Sequence, residues 1–146
     1  MPHPYVIFHI YPTDCDMLGH LNHATMLNFL ERARWALLEP QQDLRGWAQG
    51  DVFPVVRHVD INYRAQSLPG ENLAIRSGLL KVGRTSYTVK QEARKLNDHS
   101  IVAEAEIVFV AVNRAGEPVP VPERWTTSLA PWSSESEAEQ EEREPA

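Results

Sequence analysis

The chain has 146 residues, 42% of them apolar and 23% charged, enough for one domain with a substantial core. No run approaches the roughly 20 apolar residues of a membrane helix, the first ten residues lack the basic start of a signal peptide, and a single cysteine excludes an intrachain disulfide and a cysteine-rich zinc site. The formal net charge of −6 sits mostly after Trp132, where SSESEAEQEEREPA holds six glutamates and one arginine. Residues 1–132 are therefore expected to form the domain and 133–146 an acidic, disordered tail. The body has no basic surplus and no reader motif, which argues against nucleic-acid binding. A cytoplasmic protein without a membrane segment is expected.

Tyr5 to Tyr11 alternates, with Val6, Phe8 and Ile10 on one face, and reads as a first strand. Asp14, Cys15 and Asp16 come next, so the strand ends in carboxylates. Flanked by both, Cys15 should ionise less readily than a free thiol, which argues against a nucleophilic role. Gly19 permits a reversal. Asn22 is a candidate N-cap for a helix that runs to Leu38 and stops at Pro40. At about 100° per residue, Thr25, Asn28, Arg32 and Glu39 share a narrow polar stripe. The remaining surface is largely apolar, so the helix is expected to be enclosed by a sheet. Glu31 and Arg34 lie off that stripe and are expected to be buried as an i, i+3 ion pair.

Gln41 to Gly50 is a short polar connection, and strand signals dominate from Phe53. Val59, Ile61 and Tyr63 alternate with polar residues and are expected to face inward. Pro69 and Gly70 turn the chain. A strand through Leu73, Ile75 and Leu79 ends near Gly83, and another from Thr85 to Leu96 places Tyr87 and Val89 inward. Asn97 and Asp98 turn again. Ile101 to Val112 is apolar on both faces in its second half and belongs centrally or at a subunit contact. Prolines 118, 120 and 122 confine their stretch to an edge or an extended exit. Short turns between strands specify antiparallel neighbours, so the fold class is α+β.

The segment from Asp14 to Arg34 concentrates the chemistry. Amides at the helix start are electropositive by roughly half a charge, and carboxylates share their volume. This suits attack on a carbonyl, with amides holding the oxyanion while a carboxylate attacks or activates water. An aspartate ahead of a helix is more often only a cap or dipole partner, so spacing alone leaves both readings open.

The run D-x-D-x-x-G-H-x-N followed by E-x-A-R, that is Asp14, Asp16, Gly19, His20, Asn22, Glu31, Ala33 and Arg34, resembles the signature of hot-dog-fold acyl-CoA thioesterases of the 4-hydroxybenzoyl-CoA thioesterase type. Weaker similarity continues through DINYR, the PGE turn and GRTSY, from about residue 5 to 125. The resemblance implies an antiparallel sheet wrapped around one long central helix. It implies Asp16 as the catalytic carboxylate and the His23 amide as the donor to the thioester carbonyl. Asp14, Gly19, His20, Asn22 and Glu31 then support the site. It also implies a homodimer, able to pair into a homotetramer, with coenzyme A between subunits.

Coenzyme A brings phosphates, for which the turn with Arg84, Thr85 and Ser86, and Lys90 farther along, are candidates. An ordinary hairpin end explains them equally well. Met26, Leu27 and Phe29 favour an apolar or aromatic acyl group if they are not simply core. A metal site from His20, His23 and the aspartates lacks a clear ligand triad, so neither metal nor cofactor is expected. Two alternatives stand beside the thioesterase: a hot-dog dehydratase, whose usual histidine and acidic pair is not seen, and a non-catalytic acyl-CoA or acyl-carrier binding module.

Overall fold

The computed structural model describes residues 4–39, 44–47 and 49–133. The expected stop at Pro40 and the acidic tail from 134 onward lie outside the described residues. Five strands form one antiparallel sheet: β1 (Tyr5–His9), β2 (Val52–Tyr63), β3 (Asn72–Val82), β4 (Ser86–Lys95) and β5 (Ile101–Asn113). Their order is β1-β3-β4-β5-β2, so the first two strands occupy opposite edges. Between them runs α1 (His23–Leu38), succeeded by one helical turn, α2 (Leu44–Trp47), in place of the expected polar connection. This is the α+β hot-dog arrangement anticipated from the sequence.

Helix α1 buries Met26, Phe29, Leu30 and Ala33, spaced so that one stripe meets the sheet. Phe8 of β1 stacks on Phe29 with centroids 4.8 Å apart. From the sheet come Leu73, Ile75, Val89, Ala93, Ala103, Ala105 and Ile107, all at most 2% exposed. Each buried Leu or Ile contributes about 1.5–3 kcal/mol. Tyr87 stacks on Phe109, and Trp125 closes that end of the core edge-on to Tyr87. Trp125 belongs to α3 (Glu123–Thr127), a helix the sequence did not announce because five residues behind Pro122 carry no readable period.

Three expectations about burial change. Val59, Ile61 and Tyr63 do face the helix side, opposite Ile107, Ala105 and Ala103. Yet Val59 is 40% and Tyr63 46% exposed, because β2 is an edge strand with a neighbour on one side only. Helix α1 is not buried all round within the chain: Leu27 remains 37% exposed. Nor do Glu31 and Arg34 form a buried pair; Glu31 is exposed, and among the described residues it makes no ion pair within 4.0 Å.

Arg34 instead donates from Nη1 to Gln91 Oε1 at 2.9 Å and lies 5.1 Å from the centroid of the Phe109 ring. Gln91, fully buried, donates to the Leu30 carbonyl (2.8 Å) and to Ser77 Oγ (2.9 Å). One amide thus joins helix, sheet and a half-buried cation, with every polar atom in use. Gln91→Ala should therefore lower the unfolding free energy by about 2–4 kcal/mol, read from urea denaturation, since it strands three polar partners and opens a cavity.

Candidate functional site

The site is built where β1 turns into α1. A 3-10 turn (Pro12–Asp14) ends β1, and the Tyr11 N–H donates to Asp14 Oδ2 at 2.9 Å. Cys15 and Leu21 form an isolated antiparallel bridge that clasps the intervening loop. Inside it, the Asp16 N–H donates to the His20 carbonyl, and the Gly19 N–H donates to the Asp16 carbonyl, each at 3.0 Å. Gly19 adopts φ 84°, a left-handed conformation that side chains resist. Asp16 Oδ1 accepts from the Leu18 N–H at 3.0 Å, which fixes the carboxylate against its own turn.

Asn22 is the helix cap, as expected. Its Oδ1 accepts from the Ala24 and Thr25 amides at 2.8 and 3.4 Å, while its own N–H donates to the Asp14 carbonyl. These bonds take up the second and third amides of α1. The first, on His23, has no acceptor among the described residues. Asp16, His20, Leu21, His23, Met26, Tyr63 and Ser67 all line one cleft of about 210 Å³. The structure thus brings together Asp16, His20 and His23, with Gly19 and Asn22 shaping the wall.

Asp14 serves the turn through its carboxylate and the helix start through its carbonyl, and does not line this cleft. Asp16 is exposed in the single chain. Burial, then Asp14 and Asp16, push the Cys15 thiol above its ordinary range.

Glu31 lies eight residues along the helix from His23, roughly 12 Å away, and does not reach the cleft. It borders a second, apolar slot of about 110 Å³ with Arg34, Trp35, Pro54, Phe109 and Trp125. Burial lowers the Arg34 guanidinium, opposed by Glu31 and Tyr87, and burial pushes Tyr87 up to about 12.

Arg84, Thr85 and Ser86 form the β3–β4 turn, closed by the Gly83 N–H on the Ser86 carbonyl at 2.7 Å. Their backbone is tied down: the Arg84 and Thr85 carbonyls accept from the amides of Val121 and Ala111. This turn adjoins the end of β5, whereas the cleft adjoins its start at Val102. Lys90 is not part of the turn. It lies opposite Glu106 in register, and its Nζ is 5.4 Å from the Trp132 ring centroid. Met26 and Phe29 belong to the core, and Met26 also walls the cleft. Among the described residues, no group of three or more His, Cys, Asp or Glu side chains is placed to hold a metal.

With that geometry in view, the model of the thioesterase-like superfamily matches residues 10–129. The chain belongs to the thioesterase-like superfamily. Long-chain acyl-CoA thioesterase FadM of Escherichia coli (strain K12) is 32% identical over 98 residues, covering 67% of this chain and 74% of that relative. The crystal structure of Slr0204, a 1,4-dihydroxy-2-naphthoyl-CoA thioesterase from Synechocystis, has a TM-score of 0.79 at 18% identity, over 85% of this chain and 93% of that one. A Thermus thermophilus thioesterase complexed with coenzyme A and Zn has a TM-score of 0.74 at 23% identity, over 87% and 92%. At those identities the two structures speak for the fold. By family, the chain is a thioester hydrolase.

Two cleft residues escape a reading of the sequence. Tyr63 donates its hydroxyl to the His23 carbonyl at 2.8 Å and so braces the first turn of α1. Its inward phase in β2 is the available signal. Ser67 sits in a turn-like stretch, AQSLPGE, where nothing local marks it. Asn22→Ala should cost about 1 kcal/mol of stability by urea unfolding, and Asn22→Asp, which keeps the acceptor, should recover most of it.

Proposed function

We propose that the chain hydrolyses acyl-CoA thioesters at the Asp16 cleft. The observation that carries this reading is the placement of a carboxylate and an unpartnered helix-start amide on one small cleft. The His23 N–H polarises the thioester carbonyl and holds the oxyanion. Asp16 either attacks the carbonyl to give a mixed anhydride or takes a proton from the attacking water. His20 and Asn22 brace the turn, and Tyr63 steadies the carbonyl side of the same helical turn.

Coenzyme A recognition is assigned to the β3–β4 turn of a second copy. Within one chain, that turn and the Asp16 cleft lie at opposite ends of the sheet. Strand β2 has 12 residues, an open edge, and Val55, Val56, Val59 and Tyr63 between 40% and 47% exposed. Pairing two β2 edges antiparallel extends the sheet and carries the second copy's Arg84, Thr85 and Ser86 to the end that holds Asp16. Lys90, farther along β4 opposite Glu106, is not part of that turn. Acyl-CoA esters reside in the cytoplasm, and the proposal places the chain there; no helix among the described residues is long and apolar enough to cross a membrane.

Thiol release from a panel of aliphatic and aromatic acyl-CoAs tests the activity. Asp16→Asn should lower turnover at least about 100-fold and leave binding of the ester intact. Wild-type turnover in that variant refutes the role of Asp16. Binding without release from any ester by the wild-type chain favours a binding module or a carrier-protein thioester. Light scattering should report two or four chains per particle, and a monomer at working concentration would sink the shared site.

A further inference from the structure

Ser67 is 2% exposed, and its Oγ is one of the few buried side-chain polar atoms without a hydrogen-bond partner among the described residues. An orphaned buried hydroxyl is a standing cost to stability, and buried polar atoms are ordinarily satisfied. Its position is as informative as its isolation. Ser67 lines the same cleft as Asp16 and His23, and its carbonyl accepts from the Leu21 N–H at 2.8 Å. That backbone bond ties the β2–β3 connection to the loop carrying Asp16, so the hydroxyl is anchored to the site at its root. Rotation about χ1 offers the hydroxyl three staggered positions.

We propose that Ser67 is a positioning residue whose hydroxyl binds the water consumed in hydrolysis. This rests on the Asp16 reading above. The serine donates to the water oxygen and Asp16 accepts one of its protons, so the remaining lone pair is directed at the acyl carbon. As the water oxygen bonds to that carbon, its proton passes to the Asp16 carboxylate. The C–S bond then breaks with its electron pair on sulfur, and the proton ends on the departing thiolate. This role supplies a partner for a buried polar atom that makes no hydrogen bond among the described residues.

Ser67→Ala separates a functional hydroxyl from a structural one. The variant should lower kcat about ten- to hundredfold, keep KM within about twofold, and leave Tm unchanged or raised by a few degrees, because an unsatisfied group is removed. Added methanol should recover a larger share of acyl transfer in the variant, since a reagent supplied in excess depends less on one water-holding group. Ser67→Thr, which keeps the hydroxyl, should restore most of kcat. Wild-type kcat in Ser67→Ala overturns the proposal, and so does a loss of kcat accompanied by a fall in Tm. Asp16→Asn run alongside tells the two failures apart. If Asp16→Asn is inactive and Ser67→Ala is normal, only the serine role falls; if both retain turnover, the cleft itself is misassigned.

Discussion

The site depends on a short loop closure, the bridge of Cys15 on Leu21. Unless it forms, the Asp16 carboxylate and the first amide of α1 have no reason to share a volume, because a loop with two exposed apolar side chains, Met17 and Leu18, separates them. The closure is held from three directions. The Asn22 N–H reaches the Asp14 carbonyl, the Asp16 N–H reaches the His20 carbonyl, and the Leu21 N–H reaches the Ser67 carbonyl from outside the loop. Each bond contributes only about 1 kcal/mol net. Their joint effect is to hold one conformation in which Asp16, His23 and Ser67 line the same cleft. A hydrolase needs that kind of order before substrate arrives, since donors that must reorganise during the reaction lose much of their advantage.

Charge is handled differently at the two ends of α1. At the start, charged and polar groups are exposed and oriented by backbone bonds. Near the end, a cation is drawn inside and held by Gln91, Phe109 and the field of Glu31. The outer face of the sheet carries a second buried charge group, in which Glu92 bridges Arg76 and Arg94, with the Arg76 guanidinium 3.9 Å from the Trp132 ring centroid. Pairs like these stabilise little over apolar replacements, yet breaking one partner is costly. The bonds of Gln91 to Arg34 and Leu30 tie α1 to the sheet, whereas the Glu92 group holds β3 to β4.

The sequence is most legible where structure is local. The Asn22 cap, the Gly19 reversal and the hairpin at Gly83 are decided by residues within a few positions, and each is found where it is expected. Strand phase is legible too, since Val59, Ile61 and Tyr63 lie on the expected side. Their exposure is not, because a period of two says which face a residue takes and nothing about whether its strand is central. The Glu31–Arg34 pairing fails for a related reason: helical spacing brings the two within reach, but it cannot reveal Gln91, 57 residues away, as the partner of a half-buried guanidinium. Nearness in sequence groups Lys90 with Arg84, whereas the extended strand carries it away from the turn. Ser67 gives no signal at all, since an unsatisfied hydroxyl is visible only in three dimensions.

Cys15 stands beside the carboxylate of the proposed thioester site, where its protonation would decide where acyl groups go. A thiolate there would compete with water for the bound ester and carry the acyl chain as a protein-bound thioester, in an exchange that needs no hydrolysis. Partial burial and the flanking Asp14 and Asp16 hold the sulfur in its thiol form, and its proton is directed at the Tyr11 carbonyl, 3.7 Å from Sγ. At the proposed site the same two aspartates would therefore have a second task, keeping the neighbouring sulfur protonated and out of transthioesterification.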